Sequence, residues 1–265
     1  MRIKTPRILK ALASPVIDLV LPQVCWANGA GVVALGLSAG AREAIAALAA
    51  RPFCRHCGLT VGPYESHDRN NPCGRCGRRD VGVERIARVG TFSEPLVTLV
   101  HRLKFGRSWE VAAVLAPFVY QALLRVAEDT HTPVDLLLPV PLHWSRQARR
   151  GFNQAEEIAR QTAALSGWTV AHALWRKRRT AEQALTDSVT ARRANLLGAF
   201  ACRRRAARQV AGKHVWLIDD VSTTGATLHA AAGALRRLPP GRRPASINAA
   251  VVCVTDPGSP GAGGD

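Results

Sequence analysis

Val215-Trp216-Leu217-Ile218-Asp219-Asp220-Val221-Ser222-Thr223-Thr224-Gly225-Ala226-Thr227 decides how this chain is read. Residues 215–218 are a short apolar run, the pattern of a strand covered on both faces. Residues 228–238 are rich in Ala and Leu and predict a helix. Between them, Thr223, Thr224 and Thr227 offer hydroxyls, and Gly225 lets the backbone come close to a ligand. The N–H groups of such a turn, at the start of a helix, attract an anion. Two acids at a strand end thus stand beside a phosphate cradle. A ligand with neighbouring ribose hydroxyls and a phosphate satisfies both. No Gly-Lys-Ser/Thr follows, so this is not a Walker loop. An ordinary turn with capping acids explains Asp219-Asp220 but leaves Thr-Thr-Gly-Ala-Thr without a reason.

Working outward, the pattern alternates. Residues 86–92, 135–141 and 246–254 read as strands; residues 95–104, 109–127, 154–165 and 187–195 read as helices. That order predicts an α/β domain with a parallel sheet flanked by helices. We expect a helical leader at 1–50, a cysteine module at 51–85, the α/β domain at 86–256 and a flexible Gly/Pro-rich tail at 257–265. The leader begins with Arg2, Lys4, Arg7 and Lys10 and mimics a signal peptide. Pro15 and Asp18 interrupt its apolar run, and an amphipathic helix fits the spacing better. The apolar stretch 29–41 is too short to span a bilayer, so no transmembrane segment is expected.

Cys54-x2-Cys57 and Cys73-x2-Cys76 have the spacing of two zinc knuckles. Gly58 and Gly77 follow the second cysteine of each pair, where a tight turn aims N–H groups at sulfur. Four thiolates close a zinc tetrahedron and leave no catalytic position. An iron–sulfur cluster and a redox pair are the competing uses of this spacing. Cys25 reads as a buried apolar residue. The total of seven cysteines, odd and clustered, points to a reducing, cytoplasmic setting.

The 265 residues carry a net charge of +17, with 47% hydrophobic residues, enough for a full core. The charge implies an anionic partner, although a bias toward Arg codons would raise it too. Six Trp, six Phe and two Tyr are few for a base-stacking platform.

The segment 215–227 resembles the phosphoribosyl pyrophosphate (PRPP) motif of type I phosphoribosyltransferases. The resemblance implies that Asp219 and Asp220 bind the ribose 2′ and 3′ hydroxyls, and that Ser222 to Thr227 hold the 5′-phosphate. Two further stretches extend it: Pro139-Val140-Pro141-Leu142-His143-Trp144-Ser145-Arg146 through Arg149-Arg150-Gly151-Phe152-Asn153-Gln154-Ala155, and Arg176-x-Arg178-Arg179-Thr180 through Gly198-x-Phe200. With the cysteine module, which would be a double zinc ribbon-type unit, they resemble the ComF (competence protein F)/GntX family from about residue 53 to residue 254. Some members of that family carry an additional CxxC where Cys25 stands alone here.

The resemblance implies Mg²⁺-dependent transfer of phosphoribosyl from PRPP to an unidentified nitrogenous acceptor, with structural Zn²⁺ and a link to DNA uptake. It also implies a pyrophosphate-binding turn over residues 141–146 and a mobile segment starting at residues 149–154. Arg146, Arg150 and Arg179 are then the candidate pyrophosphate contacts, with Lys104 behind them. Asn153 and Gln154 orient that segment or bind substrate, and His143 is structural. The alternative is a non-catalytic competence protein that binds single-stranded DNA or a helicase partner and uses PRPP or a nucleotide as ligand.

Overall fold

In the computed structural model, the described residues are 25–29, 36–62, 72–106, 108–177, 196 and 198–256. The expected helices over 1–20 and 187–195, the tail, and Arg179 lie outside them.

Helix α1 is Ala39–Ala50, capped by the Ser38 side chain, which accepts from the Ala41 N–H. Strand β1 is Ile86–Thr91. Two helices follow, α2 (Leu96–Phe105) and α3 (Val111–Asp129). Strand β2 is Leu136–Pro139, α4 is Trp144–Arg150 and α5 is Gln154–Ser166. Next come β3 (Thr169–Val170), β4 (Leu174–Arg176), β5 (Phe200–Cys202) and the single turn α6 (Ala207–Val210). Strand β6 (His214–Ser222), helix α7 (Ala226–Arg236) and strand β7 (Ser246–Val254) close the chain.

Among the described residues, five strands form one sheet in the order β1-β7-β6-β2-β3, every neighbouring pair parallel. The expected architecture is therefore present. β7 has all nine residues buried, as a central strand covered on both faces must. Strand alternation splits the core in two. Trp216 and Ile218 face the layer of α1, α2, α3 and α5, while Val215 and Leu217 face α7, the cysteines and the β4–β5 ribbon. Gly90 marks where α1 crosses β1: a Cβ there would stand 2.8 Å from Leu96 and 2.9 Å from Leu48.

The antiparallel β4–β5 ribbon has no counterpart in the sequence reading. α3 is the one helix among the described residues long and apolar enough to cross a bilayer. Here it is a core helix, burying Val111, Leu115, Val119, Leu123 and Val126. The cysteine module shares the second core: Cys54, Cys57 and Cys73 pack in one cluster with Ile86 and Val254. An Arg55–Asp129 ion pair at 2.6 Å ties the module to the end of α3.

Candidate functional site

The acids lie one turn of pleat inside β6 rather than beyond it. The strand continues past the apolar run to Ser222, because β7 offers partners along its whole length: Asp219 pairs with Val251, Val221 with Cys253 and Ser222 with Val254. Adjacent strand residues point to opposite faces. Asp220 accordingly lies on the α2 side, where Lys104 Nζ comes within 3.3 Å of its Oδ2. Asp219 lies on the other side, and its carboxyl pKa is pushed up to about 8. Burial is the main cause and the neighbouring Asp220 carboxylate the second; Lys104 and Arg176 oppose the rise. Both acids are anchored locally: the Asp220 N–H donates to Asp219 Oδ1 at 2.9 Å and the Val221 N–H to Asp220 Oδ1 at 2.6 Å.

The loop after β6 is a set of unspent donors. Among the described residues, the N–H groups of Thr223, Thr224 and Gly225 make no hydrogen bond. The loop leads into α7, whose N-cap is Gly225 at φ 78°. Glycine is needed there twice over. That φ is costly for any other residue, and a Cβ would stand 2.5 Å from Val81 Cγ1. Free donors at the start of an eleven-residue helix form a place for an oxyanion group. Thr223 is exposed and Thr224 and Thr227 are half-buried, so their hydroxyls remain available beside it.

The remaining candidates lie on α4 and at the start of α5. Arg150 Nη1 donates to Gln154 Oε1 at 3.2 Å, and its guanidinium lies over the Phe105 ring. Arg146 belongs to α4, but its side chain lies outside the description. The expected turn and mobile segment at 141–154 differ from what is found. Residues 144–150 are helical, and Asn153 and Gln154 are buried anchors. Asn153 caps α5 by accepting from the Ala155 N–H and donates to the Val140 carbonyl; Gln154 donates to the Leu103 carbonyl. Asn153 spends both polar atoms on backbone, while Gln154 bonds backbone through its nitrogen and Arg150 through its oxygen. His143 is buried and packs its ring on Trp144, as a structural histidine does.

The four cysteine Sγ atoms lie within 4.8 Å of one another. Three separations are 3.5 Å (Cys54–Cys76), 3.6 Å (Cys57–Cys73) and 3.8 Å (Cys73–Cys76). Zn–S bonds of about 2.3 Å put tetrahedral sulfurs roughly 3.8 Å apart, so the group fits zinc. No disulfide is present, since all seven cysteines are free. Crowding divides the thiols: hydrogen bonding from Cys57 lowers the Cys54 pKa to about 3, and that same bond pushes Cys57 up. Gly58 has the left-handed conformation expected of the first knuckle, while Gly77 lies within a 3-10 turn, Cys76–Arg78.

Sequence reasoning missed two contributors. Arg176 on β4 faces the acids electrostatically, yet it lay in a quoted motif without a role. Arg79 reaches the loop after β6, and no motif singled it out. The exposed aromatics Phe105, Trp109, Trp144 and Trp175 were also not expected.

Comparisons with known proteins give the domain type and the relatives. The phosphoribosyl transferase domain model matches residues 145–262. The DNA utilization protein YhgH of Salmonella typhi is 35% identical over 216 residues, covering 79% of this chain and 89% of that protein. Competence protein F of Haemophilus influenzae is 33% identical over 208 residues, covering 77% and 85%. Competence protein ComFC of Bacillus subtilis is 29% identical over 154 residues, 56% of each chain.

Proposed function

The chain belongs to the family of competence protein F and the DNA utilization protein YhgH, and from that premise we propose that it binds PRPP and transfers the phosphoribosyl group to a nitrogenous acceptor. One observation carries this reading: the Asp219-Asp220 pair and the free N–H groups of residues 223–225 sit at the same end of one strand, a few residues apart. The phosphoribosyltransferase-type domain supports it. We assign residues 51–85 to the zinc module and 86–256 to that domain, and the free cysteines support a reducing, cytoplasmic setting.

In this reading the loop N–H groups and the hydroxyls of Thr223, Thr224 and Thr227 hold the 5′-phosphate. Asp219 and Asp220 bind the ribose 2′ and 3′ hydroxyls. The raised pKa of Asp219 suits that task, because a protonated carboxyl reduces repulsion toward a polyanion and can itself donate to a ribose oxygen. Arg150, with Arg146 and Arg179, supplies cations for the pyrophosphate, and Lys104 shares its charge between Asp220 and the ligand. Mg²⁺, when bound with PRPP, supplies further charge neutralisation on the pyrophosphate oxygens. A lone pair on the acceptor nitrogen forms the bond to C1. The C1–oxygen bond breaks, its electron pair leaves with pyrophosphate, and the nitrogen's proton passes to solvent. Positioning and electrostatics carry the rate, and no covalent nucleophile is needed.

A second reading is favoured by the exposed aromatics. Trp144 is 73% exposed and Phe105 66%, each beside a basic or polar partner. Stacked bases would find flat surfaces there, and the relatives' names concern DNA utilization and competence. In that reading the protein binds single-stranded DNA and PRPP is a regulator. The two readings separate in one assay. Wild-type protein, Mg²⁺ and PRPP are incubated with a panel of nitrogenous acceptors, and pyrophosphate is measured. Acceptor-dependent release that disappears in Asp219→Asn/Asp220→Asn supports the transferase. PRPP binding without release for any acceptor, together with DNA affinity that falls steeply with salt, favours the second.

A further inference from the structure

Arg79 leaves the second zinc knuckle, and its side chain is buried between two sites. Its Nε donates to the Cys57 carbonyl at 3.0 Å. Its Nη2 donates to the Ser222 carbonyl at 2.8 Å and to Ser222 Oγ at 3.1 Å. Its Nη1 donates to the Thr223 carbonyl and, at 3.4 Å, to that of Thr255. One guanidinium thus joins the backbone of a candidate zinc ligand to two successive carbonyls of the proposed phosphate loop. The neighbours of Arg79 press on the same loop. Val81 fills the space a Cβ at Gly225 would need, and Asp80 lies 3.1 Å from His229 Nδ1 in the first turn of α7.

A trans peptide is planar, with its C=O and N–H pointing in opposite directions. The carbonyls of Ser222 and Thr223 share peptide planes with the N–H groups of Thr223 and Thr224. Holding the two carbonyls toward Arg79 therefore turns those two N–H groups the other way, out of the protein's own hydrogen bonding, where they are left unspent. Five rigid, forked donors are needed to do this, and lysine offers only a point charge.

We propose that Arg79 is a positioning residue that sets the peptide planes of the phosphate loop and couples that loop to occupancy of the four-cysteine site. This rests on the phosphate-cradle reading above. Removing zinc frees the Cys57 backbone, loosens one anchor of the guanidinium and lets the Ser222–Thr223–Thr224 peptides rotate. Coupling between sites is reciprocal, so a ligand on the loop must also tighten zinc binding.

The test uses the full-length, zinc-loaded chain and two readouts. Amide resonances of Thr223, Thr224 and Gly225 are compared by NMR in wild type, Arg79→Gln and Arg79→Lys, with zinc content measured in each. Zinc affinity is then measured by competition with a chromogenic chelator, with and without PRPP and Mg²⁺. We expect the three resonances to move or broaden in both variants while zinc is retained. We expect PRPP to raise wild-type zinc affinity at least fivefold, and the gain to fall below twofold in Arg79→Lys. The lysine variant keeps a buried cation and decides the matter if Arg79→Gln does not fold. Superimposable loop resonances in a folded, zinc-loaded variant overturn the proposal. If wild-type protein binds no PRPP, the cradle reading fails. In that case the resonances, followed through zinc chelation, still show whether Arg79 sets the loop.

Discussion

Replacing Asp219 by asparagine should make the protein more stable in alkaline solution while removing its ligand. In the folded chain the Asp219 carboxyl has a pKa of about 8, against an ordinary 3.8, because it is buried beside Asp220. The folded state therefore holds a proton that the unfolded state has already lost. Stability must fall as pH rises from about 4 and level off above about 8. A gap of roughly four pH units, at about 1.4 kcal/mol each, sets a ceiling of about 6 kcal/mol. The Asp219 residue is only partly shielded from solvent, and water reaching the carboxylate screens most of that, leaving about 1–2 kcal/mol. The asparagine keeps the shape, and its amide oxygen can still accept from the Asp220 N–H. For a domain of this size that difference corresponds to a melting temperature roughly 3–6 °C higher at pH 8.5, and to about 1 °C at pH 5. Thermal unfolding of zinc-loaded wild type and variant at both pH values measures it. Parallel pH dependence in the two proteins, or a variant less stable at pH 8.5, would refute the reasoning.

Three further outcomes follow from contacts elsewhere. Gly225→Ala should cost about 2–3 kcal/mol, from the positive φ and the collision with Val81, and Val81→Ala should restore part of it in a double-mutant cycle read by denaturant unfolding. Arg88 is fully buried and donates to the Gly58 carbonyl at 2.7 Å and to Thr60 Oγ1 at 2.8 Å, so Arg88→Met should cost about 3 kcal/mol and loosen the first knuckle, seen as faster zinc loss to a chelator. Metal analysis should find one zinc per chain, and its removal should lower the melting temperature by about 5 °C or more, because Cys54, Cys57 and Cys73 are packed into the sheet's second core.

The parts of this fold that were legible are those whose signal is local. β7 is a strand of nine buried residues, apolar apart from Ser246 and Asn248, and its bounds were read as they stand. α5 was readable to within one residue, 154–165 against Gln154–Ser166, though the N-cap at Asn153 was not read. The Asp-Asp-Val-Ser-Thr-Thr-Gly run announced a strand, a turn and a helix, and the strand runs further than its apolar residues suggest, since pairing with β7 carries β6 on to Ser222. What was not legible depends on distant partners. β4 and β5 are three residues each and exist only by pairing with each other. Whether Asn153 and Gln154 orient their segment or bind substrate was not legible, because their backbone partners at Val140 and Leu103 come from other elements. Arg79 was indistinguishable from other arginines in a basic chain, as its partners Ser222 and Thr223 lie more than a hundred residues away.

The most direct test of the account is calorimetric titration of the zinc-loaded protein with PRPP and Mg²⁺, beside Asp219→Asn/Asp220→Asn and with ribose 5-phosphate as the half-ligand. The account predicts saturable 1:1 binding of PRPP in the micromolar range, weaker binding of ribose 5-phosphate, and loss of both in the double variant. A folded, zinc-loaded wild-type protein that takes up no PRPP would contradict it.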